Sequence, residues 1–223
     1  MKKIWFLLFV FLPSITLSYA QITKFQPELT YGVNGGVTLS SIRFDSNYPI
    51  PQDKLLQSQF GLTIRYIAEK NFGLQAELNY SNRGWKETTD EIRTNRYTRS
   101  ISYIEMPFMT HIYFSMGKRV RGLFNLGPQI GYCIGEKTIE RVLDFSEPND
   151  LTAYYFQDIQ RKFDYGIVGG GGIEFQTGIG NFILEGRYYF GLSDIFNNMR
   201  SDRFQSSANQ VIGIKLSYLT SFL

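Results

Sequence analysis

The sequence predicts an all-β fold, an eight-stranded antiparallel transmembrane β-barrel with short periplasmic turns and long extracellular loops. Three observations predict it. Apolar and polar residues alternate in eight segments, the connectors between the segments are alternately long and short, and a leader of the secretory type precedes them. Because the side chains of a strand point to opposite faces in turn, such alternation requires an apolar environment on one face and a polar one on the other.

The first 20 residues have the layout of a secretory signal peptide. Two lysines precede an apolar run that ends at Leu12, and a small-x-small cleavage motif ends at Ala20. The run is too short to cross a bilayer as a helix. We therefore expect residues 1–20 to be a cleaved signal peptide and residues 21–223 to form one barrel domain of an exported protein. An uncleaved membrane anchor is the alternative.

The composition is typical of an exported barrel. The chain has 223 residues, with 15 Tyr, 19 Phe and 21 Gly, and its single cysteine cannot form an intramolecular disulfide. No run of 18 apolar residues follows the leader, so the sequence predicts no transmembrane helix. Without the two lysines of the leader the net charge falls from +3 to about +1, and no clustered basic face indicates a nucleic-acid partner.

The eight segments follow one another along the mature chain. The third, FGLQAELNYS, is the clearest: Phe72, Leu74 and Tyr80 fall on one face, whereas Gln75 and Glu77 fall on the other. The first and fifth carry Gly and Pro but keep the alternation. The segments run for roughly 9 to 14 residues, and a tilted transmembrane strand needs about 9–11. They centre on residues 31–40, 60–66, 72–81, 103–114, 124–133, 163–175, 181–190 and 212–222.

The connectors provide an independent signal. Three are short: AEKN, SMGKR and TGIG. Four are long: SIRFDSNYPIPQDKLLQ, WKETTDEIRTNRYT, EKTIERVLDFSEPNDLTAYYFQDIQ and SDIFNNMRSDRFQS. Transmembrane barrels have short periplasmic turns and longer external loops, so the strict alternation predicts that both termini lie on the periplasmic side.

A soluble barrel of the lipocalin type would show the same alternation with its faces exchanged. Two features favour the membrane. The polar face is rich in Gly, Asn, Gln and Ser with isolated charges of both signs, and the apolar face carries aromatic residues near the strand ends, as interface girdles do. Those aromatic residues are Tyr31, Phe72, Tyr80, Phe114, Phe190, Tyr218 and Phe222.

Five motifs occur in order along nearly the whole mature chain: ELNYSNRGW (77–85), YIEMPFM (103–109), FNLGPQIGYCIGE (124–136), FDYGIVGGGGIEF (163–175) and GRYYFGLSDI (186–195). With them the chain resembles the PorT-like outer-membrane β-barrel family of the Bacteroidota, whose architecture is related to the small OmpA/OmpX-type barrels. The resemblance implies the barrel fold. The founding member is associated with protein secretion and gliding machinery. The chain departs from such barrels in ending Ser-Phe-Leu, where a terminal Phe is common.

Eight charged residues fall on the polar face of their strands. The interior of an eight-stranded barrel is only wide enough for its own side chains, and an unpaired buried charge costs several kcal/mol. We therefore expect a structural network of three cations and five acids, with the spare acids protonated or in contact with water. An ion pathway is the alternative. The eight are Arg65, Glu77, Glu105, Asp164, Glu174, Glu185, Arg187 and Lys215.

Few residues indicate chemistry. His111 is the only histidine, and Ser115 is its only available partner for a hydrolase; a structural lumen histidine is the favoured interpretation. Cys133 is expected to be a small strand residue. We expect no catalytic site, no metal and no cofactor. The glycines in GIVGGGGIEF (166–175) suggest a dinucleotide turn, but the alternation continues through them and no helical segment follows, so a hollow in a barrel wall is favoured.

The external loops are the remaining place for function. The longest carries Tyr154, Tyr155 and Phe156, which are candidate binding anchors or else extend a β-ribbon above the membrane. The sequence thus predicts a non-enzymatic, monomeric barrel that presents loops to a surface or envelope component. A secretion accessory subunit is the alternative, a narrow pore comes next, and a hydrolase is least favoured. The expected partners are outer-membrane lipid and secretion or envelope proteins.

Overall fold

The described chain is built mainly of strands, in which β-branched and aromatic residues alternate with polar ones and so favour extended pairing. The predicted signal peptide, residues 1–20, and the candidate anchors Tyr154, Tyr155 and Phe156 lie outside the described residues. The computed structural model describes residues 25–46, 52–88, 96–142, 157–197 and 204–221.

Nine strands form a single sheet. They are β1 (Glu28–Ser46), β2 (Gln52–Asp53), β3 (Leu55–Glu69), β4 (Phe72–Thr88), β5 (Arg96–Ser115), β6 (Val120–Val142), β7 (Phe163–Thr177), β8 (Gly180–Asp194) and β9 (Phe204–Ser221).

Eight of these strands close into a ring. Each pairs antiparallel with its neighbours in the chain, and β4 pairs with both β3 and β5. The ring closes because β1 also pairs with β9, from Thr30 opposite Ser221 to Ser46 opposite Phe204. The two-residue β2 adds to the rim beside β4. The predicted eight-stranded antiparallel barrel is confirmed.

The connectors have the predicted rhythm. Short turns join β3 to β4 through Asn71, which has a φ of 71°, and β7 to β8 just before Gly180, whose φ is 142°. Asparagine and glycine are the residues that adopt positive φ most readily. The connectors at the opposite end are longer. We call the two ends periplasmic and extracellular on this basis.

Most strands extend further than the sequence predicted, among them β1, which continues through part of the predicted connector to Ser46. Residues assigned to extracellular connectors instead continue β4 to Thr88, begin β5 at Arg96 and extend β6 to Val142. Pairing continues there, for example between Thr88 and Arg96. The apolar alternation of the outer wall stops because the outer face becomes polar above the membrane, whereas backbone pairing does not require an apolar face. The predicted loop boundaries were therefore wrong at these places.

The outer wall is an apolar band. Val33, Leu62 and Ile214 are 54%, 59% and 59% exposed, although they lie in the middle of paired strands. Their neighbours in the strands point inward and are polar, so the wall is apolar outside and polar inside, as in membrane barrels and opposite to a soluble barrel. No helix in the described chain is long and apolar enough to cross a membrane.

The upper edge of this band is marked on β4 and β5. Tyr80 is the last aromatic side chain of the band on β4, and its hydroxyl donates to Ser102 Oγ at 3.1 Å. Ser102 in turn donates to Asn82 Oδ1 at 2.8 Å. This arrangement places an aromatic ring in the apolar zone and its hydroxyl among polar groups, as at a membrane–water interface.

The glycine-rich stretch lies in the middle of β7, and β8 follows after a short turn. The strand–turn–helix of a dinucleotide site therefore does not form there. A Cβ atom added at Gly170 would lie 2.5 Å from the carbonyl oxygen of Gly186 and 2.9 Å from Cγ of Arg187. The absent side chain makes room for the charged side chains of β8.

We expect Gly170→Leu to hinder folding of the barrel because its side chain would displace Arg187 and Glu185. The folded fraction, measured by heat-modifiable migration on a gel, should fall well below that of the wild type. Gly117→Leu is the matched control, since nothing lies within 4 Å of a Cβ at Gly117. Equal folded fractions for the two variants would contradict the packing argument.

Candidate functional site

All eight predicted charges lie inside the barrel. Seven residues are 5% exposed or less, and the Arg187 side chain is 9% exposed. The strands bring together residues that are more than 100 positions apart in sequence, and the charges form three clusters at different heights in the lumen.

The central cluster joins β4, β8 and β9. Arg187 donates to both oxygens of Glu77 at 2.7 and 2.6 Å, and Lys215 Nζ lies 2.5 Å from Glu77 Oε1. Glu185 faces the same two cations at 2.9 and 3.6 Å. Two acids and two cations therefore neutralise one another across the lumen, and bidentate geometry strengthens the Arg187–Glu77 contact.

The lower cluster joins β3 to β7. Arg65 Nη1 lies 2.6 Å from Glu174 Oε2, and Arg65 Nε donates to Gln75 Oε1 at 2.9 Å. Gln75 then donates to Glu77 at 2.6 Å, so the lower and central clusters form one hydrogen-bonded network. Arg121, 3.7 Å from the other oxygen of Glu174, is the second cation of the lower cluster.

The upper cluster is centred on Arg83, which is not among the eight predicted lumen charges. Its Nε lies 2.8 Å from Glu105, and its Nη1 lies 2.6 Å from Asp164. Asp164 also accepts hydrogen bonds from Tyr189 at 2.9 Å and Ser193 at 2.5 Å. One cation thus holds acids from two different strands, β5 and β7.

Arg83 and Arg121 change the charge balance that the sequence predicted. The five acids of the network face five cations rather than three. The expectation of spare acids, protonated or in contact with water, was wrong. Arg83 lies beyond the predicted end of its strand at Ser81. It is an even number of residues from Glu77, so its side chain points inward as that of Glu77 does. Extending the polar alternation by one step would have found it.

His111 belongs to the interior and is not paired with Ser115. It is fully buried, and its Nδ1 lies 2.8 Å from Asn125 Oδ1. Asn125 donates through its other amide atom to Glu185 at 2.8 Å, which links the imidazole to the central cluster. Ser115 is exposed, four residues along β5, about 13 Å away at the rise of a strand. In the described chain no group of three or more His, Cys, Asp or Glu residues could hold a metal ion.

An aromatic and aliphatic cap closes the extracellular end. Trp85 is fully buried and its ring lies 5.8 Å from that of Tyr97 and 6.4 Å from that of Phe196. The cap packs as one cluster with Cys133 buried at its lower side. Its members are Ile42, Trp85, Tyr97, Ile101, Tyr103, Cys133, Ile159, Ile195 and Phe196.

Arg99 holds the segment before β7 against this cap. Arg99 directly follows the predicted external connector, which ends at Thr98, but it is 4% exposed and points inward from β5. It pairs with Glu136 and donates to the carbonyl oxygen of Gln157 at 2.6 Å. Glu136 accepts from the backbone N–H of Ile159 at 3.1 Å. The segment before β7 is thus tied to β5 and β6.

Comparison with known proteins decides the family. Residues 19–197 match the sequence model of the family described as "Outer membrane protein beta-barrel domain". The chain belongs to this family. Its members are barrels of the bacterial outer membrane, which agrees with the apolar outer wall. No curated protein matches the sequence.

Several solved outer-membrane proteins are similar to this chain, and the first of them shows the same barrel fold. Neisserial surface protein A is 8% identical with a TM-score of 0.50, covering 89% of this chain and 100% of its own. OprG from Pseudomonas aeruginosa is 13% identical with a TM-score of 0.48, covering 87% and 95%. The outer membrane enzyme PagL is 12% identical with a TM-score of 0.47, covering 85% and 99%.

The lumen of this outer-membrane barrel is filled from end to end in its described part. An apolar layer of Ile67, Tyr113, Leu123, Ile183 and Leu219 lies at the periplasmic end, below the charged clusters. Between the central and upper clusters there is a cavity of about 30 Å³, room for one or two water molecules. The aromatic cap then closes the other end.

We expect Arg83→Met to destabilise the barrel by about 3–5 kcal/mol, because Glu105 and Asp164 would keep buried charges without their cation. Urea-induced unfolding of the protein in lipid vesicles would measure this. The control is Arg96→Met, since Arg96 and Glu140 are 3.7 Å apart with side chains 55% and 36% exposed. An exposed pair of this kind contributes about 0–1 kcal/mol.

Further substitution of Glu105 to Gln and Asp164 to Asn in the Arg83→Met barrel should restore part of the lost stability, because no buried charge would then remain unpaired in the upper cluster. A loss no larger than that of the Arg96→Met control would contradict the network argument.

Proposed function

We propose that the protein is a non-enzymatic, monomeric scaffold of the outer membrane that presents its extracellular loops to a surface or envelope component. The observation that carries this proposal is the filled lumen. Ion pairs cross it at three heights, and caps lie above and below them. A barrel filled in this way is a rigid support, and the surfaces left for recognition are at its rim and its outer wall.

The height of the extracellular rim supports the same function. β4, β5 and β6 have 17, 20 and 23 residues, whereas a transmembrane strand needs about 9–11. The extra length raises the connectors above the bilayer. Tyr154, Tyr155 and Phe156 follow β6 in sequence, and we propose them as the binding anchors, since aromatic residues contribute strongly to interfaces.

A secretion accessory subunit is the second candidate, and the resemblance to PorT-like barrels supports it. Such a subunit would also use exposed loops, so the two proposals differ in the partner and not in the surface. A hydrolase is disfavoured because the hydrogen bond of His111 goes to Asn125. We also propose that residues 1–20 are a cleaved signal peptide.

The filled lumen predicts that the refolded protein is electrically silent in planar bilayers. The ion pairs leave no continuous path of water, so discrete conductance steps should be absent at moderate voltage. A porin refolded in the same way is the positive control. Reproducible single-channel steps would overturn the scaffold proposal in favour of the narrow pore.

Simultaneous substitution of Tyr154, Tyr155 and Phe156 by Ser should abolish capture of the partner in cross-linked outer membranes, while heat-modifiable folding stays normal. The control is a barrel with Leu56 and Ile139 changed to Ser, which also loses exposed apolar side chains but keeps the three anchors. Undiminished capture by the triple variant would count against these anchors. Recovery of a secretion component with the wild type would favour the second candidate.

A further inference from the structure

Two segments without strand structure lie across the extracellular mouth of the barrel. β5 and β6 continue well above the membrane, whereas β7 begins at Phe163 and β8 ends at Asp194. The chain just before β7 and the chain just after β8 cover the mouth and contribute to the aromatic cap. We call residues 157–162 the strap, residues 195–197 the turn, and the two together the lid.

Three hydrogen bonds join the strap to the turn. Arg161 donates through its backbone N–H to the carbonyl oxygen of Ile195 at 3.1 Å and through Nε to Asn197 Oδ1 at 2.7 Å. The backbone N–H of Asn197 donates to Gln160 Oε1 at 2.7 Å. Segments that come from the ends of two different strands are therefore bonded into one body.

The lid is rooted at the upper ends of β7 and β8. The carbonyl oxygen of Lys162, directly before β7, accepts from the backbone N–H of Cys133 at 2.7 Å. Directly after β8, the backbone N–H of Ile195 donates to the carbonyl oxygen of Ser207 at 2.9 Å, and that of Phe196 donates to Ser207 Oγ at 3.2 Å. These bonds fix the lid where it leaves the strands, and its far edge needs a separate hold.

One ion pair on the tall wall of β5 and β6 holds that far edge. Arg99 pairs with Glu136, and each of them also bonds to the strap. Arg99 donates to the carbonyl oxygen of Gln157 at 2.6 Å, and Glu136 accepts from the backbone N–H of Ile159 at 3.1 Å. The Arg99 side chain is 4% exposed and that of Glu136 is 25% exposed, so water reaches the pair from the side of Glu136.

The strap itself buries little apolar surface. Of its six residues only Ile159 is buried, and the other five are exposed. A segment with one buried apolar side chain and exposed backbone opens at a free energy well below that of global unfolding. The strands below it are paired on both edges within the membrane, so they open only with the whole barrel.

We infer that the lid is a conformational device, which opens about its roots when the Arg99–Glu136 pair releases the strap, while the barrel stays folded. Opening withdraws Ile159 and Phe196 from the cap and uncovers the ring of Trp85, which lies 6.4 Å from that of Phe196 in the closed state. The ion-paired lumen below remains filled. The open lid therefore offers an aromatic surface to a partner at the rim and creates no pore.

Amide hydrogen exchange of the full mature chain, refolded in phosphatidylcholine nanodiscs, tests the local opening. The amides of Ile159 and Arg161 should exchange at least about a hundredfold faster than the ladder amides of β5 and β6 within the membrane, because opening of the lid breaks the former alone. Exchange of all these amides at one common rate, that of global unfolding, would overturn the lid.

The role of the ion pair is tested with Glu136→Gln. Exchange at Ile159 and Arg161 should become faster by about tenfold or more, because a charge-assisted hold on the strap is lost. The matched control is Glu140→Gln, which removes a carboxylate from the same strand in an exposed pair with Arg96. It should stay within about twofold of the wild type. Equal rates in the two variants would overturn the assignment of Glu136.

A second variant, Ile159→Ser, weakens the lid through the cap and keeps the ion pair, so the test does not depend on folding of Glu136→Gln. Its control is Ile139→Ser, whose side chain is 57% exposed on β6. In either lid variant, folded and without urea, Cys133 should react with a charged thiol reagent at least about tenfold faster than in the matching control. Labelling no faster than in the controls would show that the cap stays covered and would overturn the inference. The loop proposal does not depend on either result.

Discussion

The structure depends on one constraint: eight strands enclose a lumen that only side chains can fill. Every inward residue must therefore find its partner on another strand within that lumen. The charges satisfy this constraint by pairing across the barrel, as Arg187 does with Glu77 and Arg83 does with Asp164. Buried ion pairs of this kind are costly to break, because removal of one partner leaves an uncompensated buried charge.

The pairing also determines what the barrel can do. A cation from β4 between acids of β5 and β7 ties three strands together, and Arg99 ties the segment before β7 to β5 and β6 above it. Together they make the described lumen a solid core. Recognition is thereby directed to the extended rim of β4, β5 and β6.

The sequence predicted the fold well because period-two alternation is a local signal. Each strand displays it on its own, so the strand count, the connector rhythm and the inward position of Glu77 followed from neighbouring residues. Partners were not predictable in the same way. Arg65 and Glu174 are 109 positions apart, and no local pattern indicates that β3 and β7 send these two side chains to the same height.

Two errors had a common cause. Arg83 and Arg99 both lie outside the predicted strand segments, because the apolar alternation ends where the strands leave the membrane. The alternation of inward and outward side chains continues, and every second side chain of β4 from Glu77 through Arg83 to Trp85 is buried inside. Once strands rise above the bilayer, the inner face is the better guide to where they end. The candidate anchors Tyr154, Tyr155 and Phe156 lie outside the described residues and remain a prediction.

The closed core can be tested most directly with the native thiol. Cys133 is the only cysteine of the chain, and it is 4% exposed beneath the aromatic cap. A charged, membrane-impermeant thiol reagent added to the folded wild type in vesicles should leave Cys133 unmodified until urea unfolds the barrel. Rapid labelling of the folded protein would show that water and ions enter the lumen from the extracellular end, and would contradict the account of a filled, charge-paired barrel.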